Sequence, residues 1–137
     1  MSGRDGWREM NIDGLINAIG PLLSRRDGEG WRYALEARPE HANPLGVIHG
    51  GTLMTLLDQT ATLSAMWLSG EKAMLSVQMN TRFFASAKVG DFIEGQASLR
   101  SRTRSMLFLD AQLTVDGGAV ADASVIMKII KPKPPNN

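Results

Sequence analysis

One carboxylate stands out because no other charged side chain lies near it in the sequence. Between positions 41 and 70 the only residue with a formal charge is Asp58, and its neighbours include Leu56, Leu57 and Ala61. A carboxylate among apolar residues must be hydrogen-bonded, protonated or facing a cavity, because burying it unpaired costs free energy. Asp58 is therefore a candidate general base or nucleophile, with an aspartate on a partly exposed helix edge as the alternative.

A second candidate is the irregular segment 43–51, Asn-Pro-Leu-Gly-Val-Ile-His-Gly-Gly, which precedes an apolar stretch. Its last residues, His49, Gly50 and Gly51, are typical of the start of a helix. The first N–H groups of a helix lack partners and lie at the positive end of its dipole, so they can hold a developing oxyanion. Such an amide together with Asp58 would make a hydrolytic pair, whereas the segment alone is equally well explained as a turn with two glycines.

One long helix and a set of strands must position these residues. Apolar residues surround most of the stretch 51–68, which predicts a buried helix of roughly 27 Å. A period of two in hydrophobicity predicts strands over 31–38, 75–83, 93–100, 107–115 and 119–129, with a hairpin at Asp116-Gly117-Gly118. Helical spacing over 7–23 predicts an amphipathic first helix. These elements predict an α+β fold in which an antiparallel sheet of five or six strands wraps around the long helix.

The same pattern divides the chain into three parts. We predict an N-terminal helical segment over 1–28, one folded domain over 29–131, and a flexible tail over 132–137 that is rich in lysine, proline and asparagine. The folded part is long enough to bury a sizeable core without a disulfide or a structural metal.

Composition narrows the class of protein further. The chain has 137 residues, 15 Lys and Arg against 14 Asp and Glu, and no cysteine, so disulfides, thiolate metal sites and a cysteine nucleophile are excluded. A net charge of +1 gives no overall attraction to nucleic acid or membranes. The N-terminus mixes both signs of charge, and Asp58 interrupts the most apolar stretch. We therefore expect no secretory signal, no membrane span and a cytoplasmic location.

Motifs of competing chemistries are missing or weak. The sequence contains no G-x-S-x-G for a serine hydrolase and no G-x-x-x-x-G-K for nucleotide phosphates. Its two histidines, His41 and His49, are eight residues apart in the sequence and make a poor metal site without further acidic ligands.

The combined pattern Asn43-x5-His49-Gly50-Gly51-x6-Asp58 resembles the hotdog-fold acyl-CoA thioesterases. Within them it is similar to the phenylacetic-acid-degradation (PaaI-like) branch of the 4-hydroxybenzoyl-CoA thioesterase superfamily. Residues 75–80 and 87–91 extend the resemblance, which covers about residues 30–130. It implies the hotdog fold, hydrolysis of a thioester to a free acid and coenzyme A, and no cofactor, since coenzyme A is part of the substrate. It also implies a homo-oligomer, either a dimer or a dimer of dimers, whose active site is shared between two subunits.

The resemblance also implies roles for single residues. The backbone N–H of Gly50 would donate to the thioester carbonyl oxygen, Asn43 would hold or polarise that oxygen, and His49 would shape the loop. Asp58 would activate water as general base or attack directly as nucleophile, two mechanisms that the sequence leaves open. Ser76 matches a position that helps orient the attacking water.

The predicted contact of Ser76 with Asp58 depends on which face of its strand packs against the helix. If Leu75 and Val77 face the core, strand parity places the Ser76 side chain on the other face, and contact within one chain is not assured.

Substrate contacts are predicted at two places. The resemblance implies them for Gly51 and Gln59, beside the catalytic pair. Arg100, Arg102 and Arg104 alternate along one strand face or its end, and their guanidinium groups suit the phosphates of coenzyme A. A solvated strand face is the alternative explanation for the three arginines.

Two other functions fit the same pattern. A hotdog module that binds acyl-CoA without hydrolysing it would serve regulation or assembly. A hotdog dehydratase would pair His49 with Asp58 for proton transfer, although the context of Asn43 and the two glycines favours hydrolysis.

Overall fold

A single antiparallel sheet surrounds one long helix in the computed structural model, which describes residues 5–131. The predicted tail 132–137 lies outside the described residues. The strands follow the order β1-β2-β3-β5-β6-β7-β4 across the sheet. The elements are β1 Arg8–Met10, α1 Leu15–Ile19, β2 Leu22–Asp27, β3 Gly30–Glu36, α2 Gly50–Ser69, β4 Met74–Phe83, β5 Phe92–Arg102, β6 Met106–Val115 and β7 Gly118–Ile129.

The prediction of an α+β hotdog fold is confirmed. Within residues 5–131 the sheet has seven strands, whereas the sequence predicted five or six. The five strands expected from period-two hydrophobicity correspond to β3–β7, and the long helix α2 begins and ends within one residue of its prediction.

The amphipathic helix predicted over 7–23 is wrong. Residues 15–19 alone are α-helical there, and the described part of the segment predicted as helical, 5–28, contains more strand than helix, in β1 and β2. Strand β1 pairs with β2, and β2 pairs with β3, so this segment belongs to the same sheet as the rest of the chain. Two glycines, at 14 and 20, and the proline at 21 interrupt a helix, and pairing with β3 then decides between the local alternatives.

Helix α2 is stabilised at both ends and buried along one face. His49 lies at its N-cap and accepts a hydrogen bond from the Gly51 N–H, and Gly70 ends it in the left-handed conformation with φ 77°. Its 20 residues span about 30 Å. The buried face consists of Leu53, Leu56, Leu57, Thr60, Ala61, Ser64 and Ala65.

A β-bulge in β4 changes which side chains face the helix. The pairing of β4 with β7 shifts register between Ser76 and Gln78. Before the bulge, Met74 is buried, whereas Leu75 and Val77 are 62% and 51% exposed. The prediction that Leu75 and Val77 share the core face is therefore wrong, because the extra residue reverses the alternation along the strand.

Helix α2 lies close to the sheet at Gly95 in β5. A Cβ placed on Gly95 would lie 2.4 Å from Thr60 Oγ1 and 3.3 Å from Leu113 Cδ2. Thr60 is fully buried and its hydroxyl has no hydrogen-bond partner within the described residues. Only glycine at position 95 lets the helix lie this close to the sheet.

Gly95→Ala should lower the free energy of unfolding by about 1–3 kcal/mol, because the new methyl group overpacks the contact with Thr60. Thr60→Ala in the same chain should recover part of this loss, since it removes the nearest atom. Gly30→Ala is the matched control, because its Cβ would meet only Asp27 O at 3.9 Å, and it should change the free energy by under about 0.5 kcal/mol. Urea denaturation of all four proteins measures the free energy of unfolding. Equal losses of this free energy in Gly95→Ala and Gly30→Ala would contradict this account.

Candidate active site

The loop before α2 is held by the side chain of Asn43. Its Oδ1 accepts hydrogen bonds from the N–H groups of Leu45 at 2.9 Å and Val47 at 3.2 Å. The backbone closes the same turn, because the Asn43 N–H donates to Val47 O at 2.8 Å. The Nδ2 group of Asn43 has no acceptor within the described residues. The carboxamide is therefore oriented by its oxygen and presents its N–H groups away from the loop.

His41 anchors this loop to the rest of the domain. Its buried ring accepts a hydrogen bond at Nδ1 from the Arg38 N–H at 3.0 Å, and its Nε2 lies 2.6 Å from Ile19 O. Its carbonyl oxygen accepts from the His49 N–H at 2.9 Å and from Thr52 Oγ1 at 3.1 Å. Both ring nitrogens are used, so His41 has a structural role. The sequence prediction missed this residue, whose local signal is weak because its partners are distant in the chain.

The N-terminus of α2 leaves one backbone donor unused. The Gly51 N–H donates to His49 Nδ1 at 2.8 Å, and the N–H groups of Thr52 and Leu53 donate to His49 O at 2.9 and 3.2 Å. The Gly50 N–H has no acceptor within the described residues. The first turn also contains no acidic residue, so the positive end of the helix dipole is not neutralised there. This amide suits an oxyanion.

Asp58 and Ser76 form the second half of the predicted site. Asp58 is half-buried on α2, and Ser76 Oγ donates a hydrogen bond to Asp58 Oδ1. The Ser76 hydroxyl also lies 3.4 Å from Sδ of Met127, which is fully buried. The doubt over Ser76 is thus resolved by the bulge in β4, which turns its side chain toward the helix of the same chain.

The two halves do not meet within one chain. Gly50 and Asp58 are eight residues apart on the same helix, which separates them by about 12 Å along its axis. The oxygen and the carbon of one thioester carbonyl are only about 1.2 Å apart. A single carbonyl therefore cannot accept from Gly50 while its carbon is attacked by Asp58 or its water in the same subunit.

The three predicted phosphate-binding arginines do not share a face. The pairing of β5 with β6 shifts register between Leu99 and Ser101, which places Arg100 and Arg102 on opposite sides of the sheet. Arg100 lies 3.4 Å from Asp110, and Arg102 lies 3.4 Å from Glu71. The prediction of one strand face is therefore wrong.

The three arginines differ in whether an acidic side chain lies beside them. A hydrogen bond from Lys131, assisted by the charge of Arg102, lowers the pKa of the Glu71 carboxyl. Arg104 is exposed and has no ion-pair partner within residues 5–131. Arg104 is therefore the most available of the three for an external anion.

The two remaining predicted substrate contacts lie close to the site. Gly51 is exposed, and a Cβ on it would lie 2.9 Å from His49 Nδ1. Glycine at this position is thus required by the N-cap. Gln59 is half-buried on α2 beside Asp58, and its amide has no hydrogen-bond partner within the described part of the chain.

The described residues contain neither a metal-binding cluster nor a membrane-spanning helix. No group of three His, Asp or Glu side chains between residues 5 and 131 is close enough to hold a metal ion. No helix in this range is long and apolar enough to cross a membrane.

Comparison with known proteins identifies the family. The sequence model of the Thioesterase superfamily matches residues 45–121, a range that contains the Gly50 amide, Asp58 and Ser76. The chain belongs to this superfamily, and the family predicted from the spacing of Asn43, Gly50 and Asp58 is confirmed.

Individual relatives agree with this result. The chain is 30% identical over 80 residues to acyl-coenzyme A thioesterase 13 of Mus musculus; the match covers 58% of this chain and 57% of the relative. The chain thus spans little more than half the length of that protein. It is also 31% identical over 118 residues to a Pseudomonas aeruginosa protein that is named as an esterase by inference. This match covers 84% of the present chain and 87% of the relative.

A solved structure shares the fold. The E. coli PaaI protein from the phenylacetic acid degradation operon has a TM-score of 0.76 and 16% identity, with 85% of this chain and 83% of that chain covered.

His49→Ala should lower the free energy of unfolding by about 1 kcal/mol, because the Gly51 N–H loses its acceptor at the start of α2. His49→Asn should retain most of the stability, since asparagine is a good N-cap residue. Urea denaturation of the three proteins checks this. Identical midpoints for His49→Ala and the unmodified chain would show that the cap contributes nothing.

Proposed function

We propose that this protein is an acyl-CoA thioesterase that hydrolyses a thioester to a free acid and coenzyme A. The observation that supports it most directly is the unpartnered Gly50 N–H at the positive end of α2, on the same helix as a carboxylate held by Ser76. The family and the name of the mouse relative support the same reaction. The proposed chemistry uses only residues of the chain and water. The cytoplasmic location stays a prediction from the sequence.

In the proposed reaction the carbonyl oxygen of the thioester accepts hydrogen bonds from the Gly50 N–H and from Nδ2 of Asn43. These donors stabilise the negative charge that develops on this oxygen when the carbonyl carbon is attacked. Asn43 is suited to this role because its Oδ1 is held by Leu45 and Val47, which directs Nδ2 outward.

Asp58 supplies the attacking group by one of two routes. As general base it takes a proton from water, whose oxygen bonds to the carbonyl carbon. As nucleophile it forms a mixed anhydride, which water then hydrolyses. In both routes the bond from carbon to sulfur breaks and coenzyme A leaves as its thiolate, which is protonated afterwards. Ser76 is a positioning residue in this scheme, because its hydroxyl fixes one oxygen of the Asp58 carboxylate.

We infer that two subunits share each active site. The separation of about 12 Å between Gly50 and Asp58 requires a second copy to bring the two groups to one carbonyl. Strand β4 lies at the edge of the sheet, and its Leu75 and Val77 side chains are mostly exposed. An apolar, unpaired edge strand is a surface that proteins normally cover. Asn43 and Gly50 of one subunit would then face Asp58 of the partner subunit.

The nucleotide end of coenzyme A would contact the basic part of the surface. Arg104 is the strongest candidate, because Arg100 and Arg102 already lie beside carboxylates. Gln59 would contact the substrate near the thioester, since it adjoins Asp58.

Asp58→Asn should lower kcat by more than about 100-fold, because it removes the base or nucleophile, while binding of acyl-CoA persists. The assay is thiol release, followed with a chromogenic thiol reagent, from aryl, short, medium and long acyl-CoAs. The chain contains no cysteine, so its own background is low. Asp116→Asn, a change at an exposed hairpin position, is the control and should leave turnover unchanged. Binding without release from any substrate would support the non-catalytic module instead.

The shared site can be tested by combining two kinds of subunit that are inactive because of different substitutions. Asn43→Ala should raise the barrier by about 2–4 kcal/mol through loss of an oxyanion donor. We expect a heterodimer of Asn43→Ala with Asp58→Asn, isolated through two different affinity tags, to regain about half of the wild-type activity, because one of its two symmetric sites is intact. A doubly tagged Asp58→Asn dimer should stay inactive. A mixed dimer as inactive as its parents would place the whole site within one chain.

A further inference from the structure

A cavity lies on the side of α2 away from Asp58. It has a volume of about 570 Å³ and opens between the C-terminal half of α2 and strands β1–β3. This volume is typical of sites for small molecules. Its wall is mostly apolar, and the apolar side chains are Met10, Trp31, Leu63, Met66 and Trp67.

The cavity is separate from the proposed active site. Trp67 follows Asp58 by nine residues on α2, which turns it about 180° around the helix and moves it about 13 Å along the axis. A ligand in this cavity therefore lies across the helix from the carboxylate.

Tyr33 is a residue of the cavity wall whose hydroxyl the fold leaves without a partner. The residue as a whole is 4% exposed and lines the cavity, and its hydroxyl makes no hydrogen bond within the described residues. Burial raises the pKa of Tyr33 to about 12, so at neutral pH the group is a phenol that can donate. The hydroxyl oxygen keeps some exposure, since it is not one of the fully buried side-chain atoms that lack a partner within the described residues. A ligand in the cavity can therefore reach this hydroxyl, and binding would give it a partner.

The charged groups of the cavity favour an anion. Lys72 lies on the wall and has no acidic partner within residues 5–131. The neighbouring Glu71 carboxylate is already bound to Lys131 at 3.0 Å and lies 3.4 Å from Arg102. The hydrogen-bonding groups of the wall left unused within the described residues are thus the Tyr33 and Ser24 hydroxyls and the Lys72 ammonium, all of which can donate.

The two tryptophans of the wall are held in place before any ligand arrives. Their rings meet edge to face with centroids 5.7 Å apart, and the Arg26 guanidinium lies 5.4 Å from the Trp31 ring and 4.8 Å from the Trp67 ring. The indole N–H of Trp67 donates to Glu29 O at 2.9 Å. A wall fixed in this way loses little side-chain entropy on binding.

We propose that this cavity binds a small carboxylic acid with an aliphatic or aromatic body, in addition to the substrate at the active site. The apolar body would occupy the space between Met66 and the two tryptophans. The carboxylate would accept hydrogen bonds from Tyr33 and Lys72. Binding at this site requires no turnover, so the proposal is independent of the proposed reaction.

The test is a titration with decanoate, followed by tryptophan fluorescence in the full chain carrying Trp7→Phe. Since the chain has three tryptophans, this change leaves Trp31 and Trp67 as the reporters. We expect a saturable change, about tenfold weaker binding in Tyr33→Phe through loss of a hydrogen bond to a charged group, and weaker binding of the uncharged analogue decan-1-ol. Lys72→Met should abolish the preference for decanoate over decan-1-ol.

Two controls make the result decisive. Asp58→Asn should bind decanoate with unchanged affinity, and coenzyme A should not compete with it. Absence of a saturable change, or equal affinity of the unmodified, Tyr33→Phe and Lys72→Met proteins, would overturn the proposal. A changed affinity in Asp58→Asn, or competition by coenzyme A, would place decanoate in the active site and overturn it as well.

Discussion

Burial of one face of α2 inside the sheet is the constraint on which the other features depend. The helix can lie this close only because Gly95 has no side chain where Thr60 approaches. With its axis fixed, the helix directs its N-terminal amides to one end of the domain. The same axis places Asp58 beside β4, where Ser76, itself in contact with the buried Met127, donates a hydrogen bond to it.

The polar groups at the start of α2 fall into two sets, those that hold the loop in place and those that have no partner within the described residues. His41 and His49 take up the backbone and ring hydrogen bonds that hold the loop and the first turn, and the side chain of Asn43 contributes only its oxygen to the loop. The Gly50 N–H and the Asn43 amide are left for a ligand. A developing negative charge there meets donors that need no rearrangement, which is how such groups lower a barrier.

In the proposed reaction, the geometry of a straight helix requires a second subunit. Two turns separate the amide from the carboxylate, and no side-chain rotation closes a gap of about 12 Å. The unpaired edge at β4, with Leu75 and Val77 exposed, lies on the Asp58 side of the helix. Asp58, which requires a partner subunit in the proposed reaction, thus lies next to the exposed edge of β4, the surface that could bind this partner.

Local patterns in the sequence determined α2, strands β3–β7 and a sheet that wraps around a helix, because caps, glycines and period-two hydrophobicity act over a few residues. The hotdog class followed from the family resemblance carried by the spacing of Asn43, Gly50 and Asp58. Only the tertiary structure decided the strands within 7–27, since pairing with β3 outweighs their weak helical periodicity. It also decided which faces Ser76 and Arg102 occupy, because each bulge arises from pairing with a strand distant in the chain. The unpartnered Tyr33 hydroxyl depends in the same way on long-range packing, which no local pattern records.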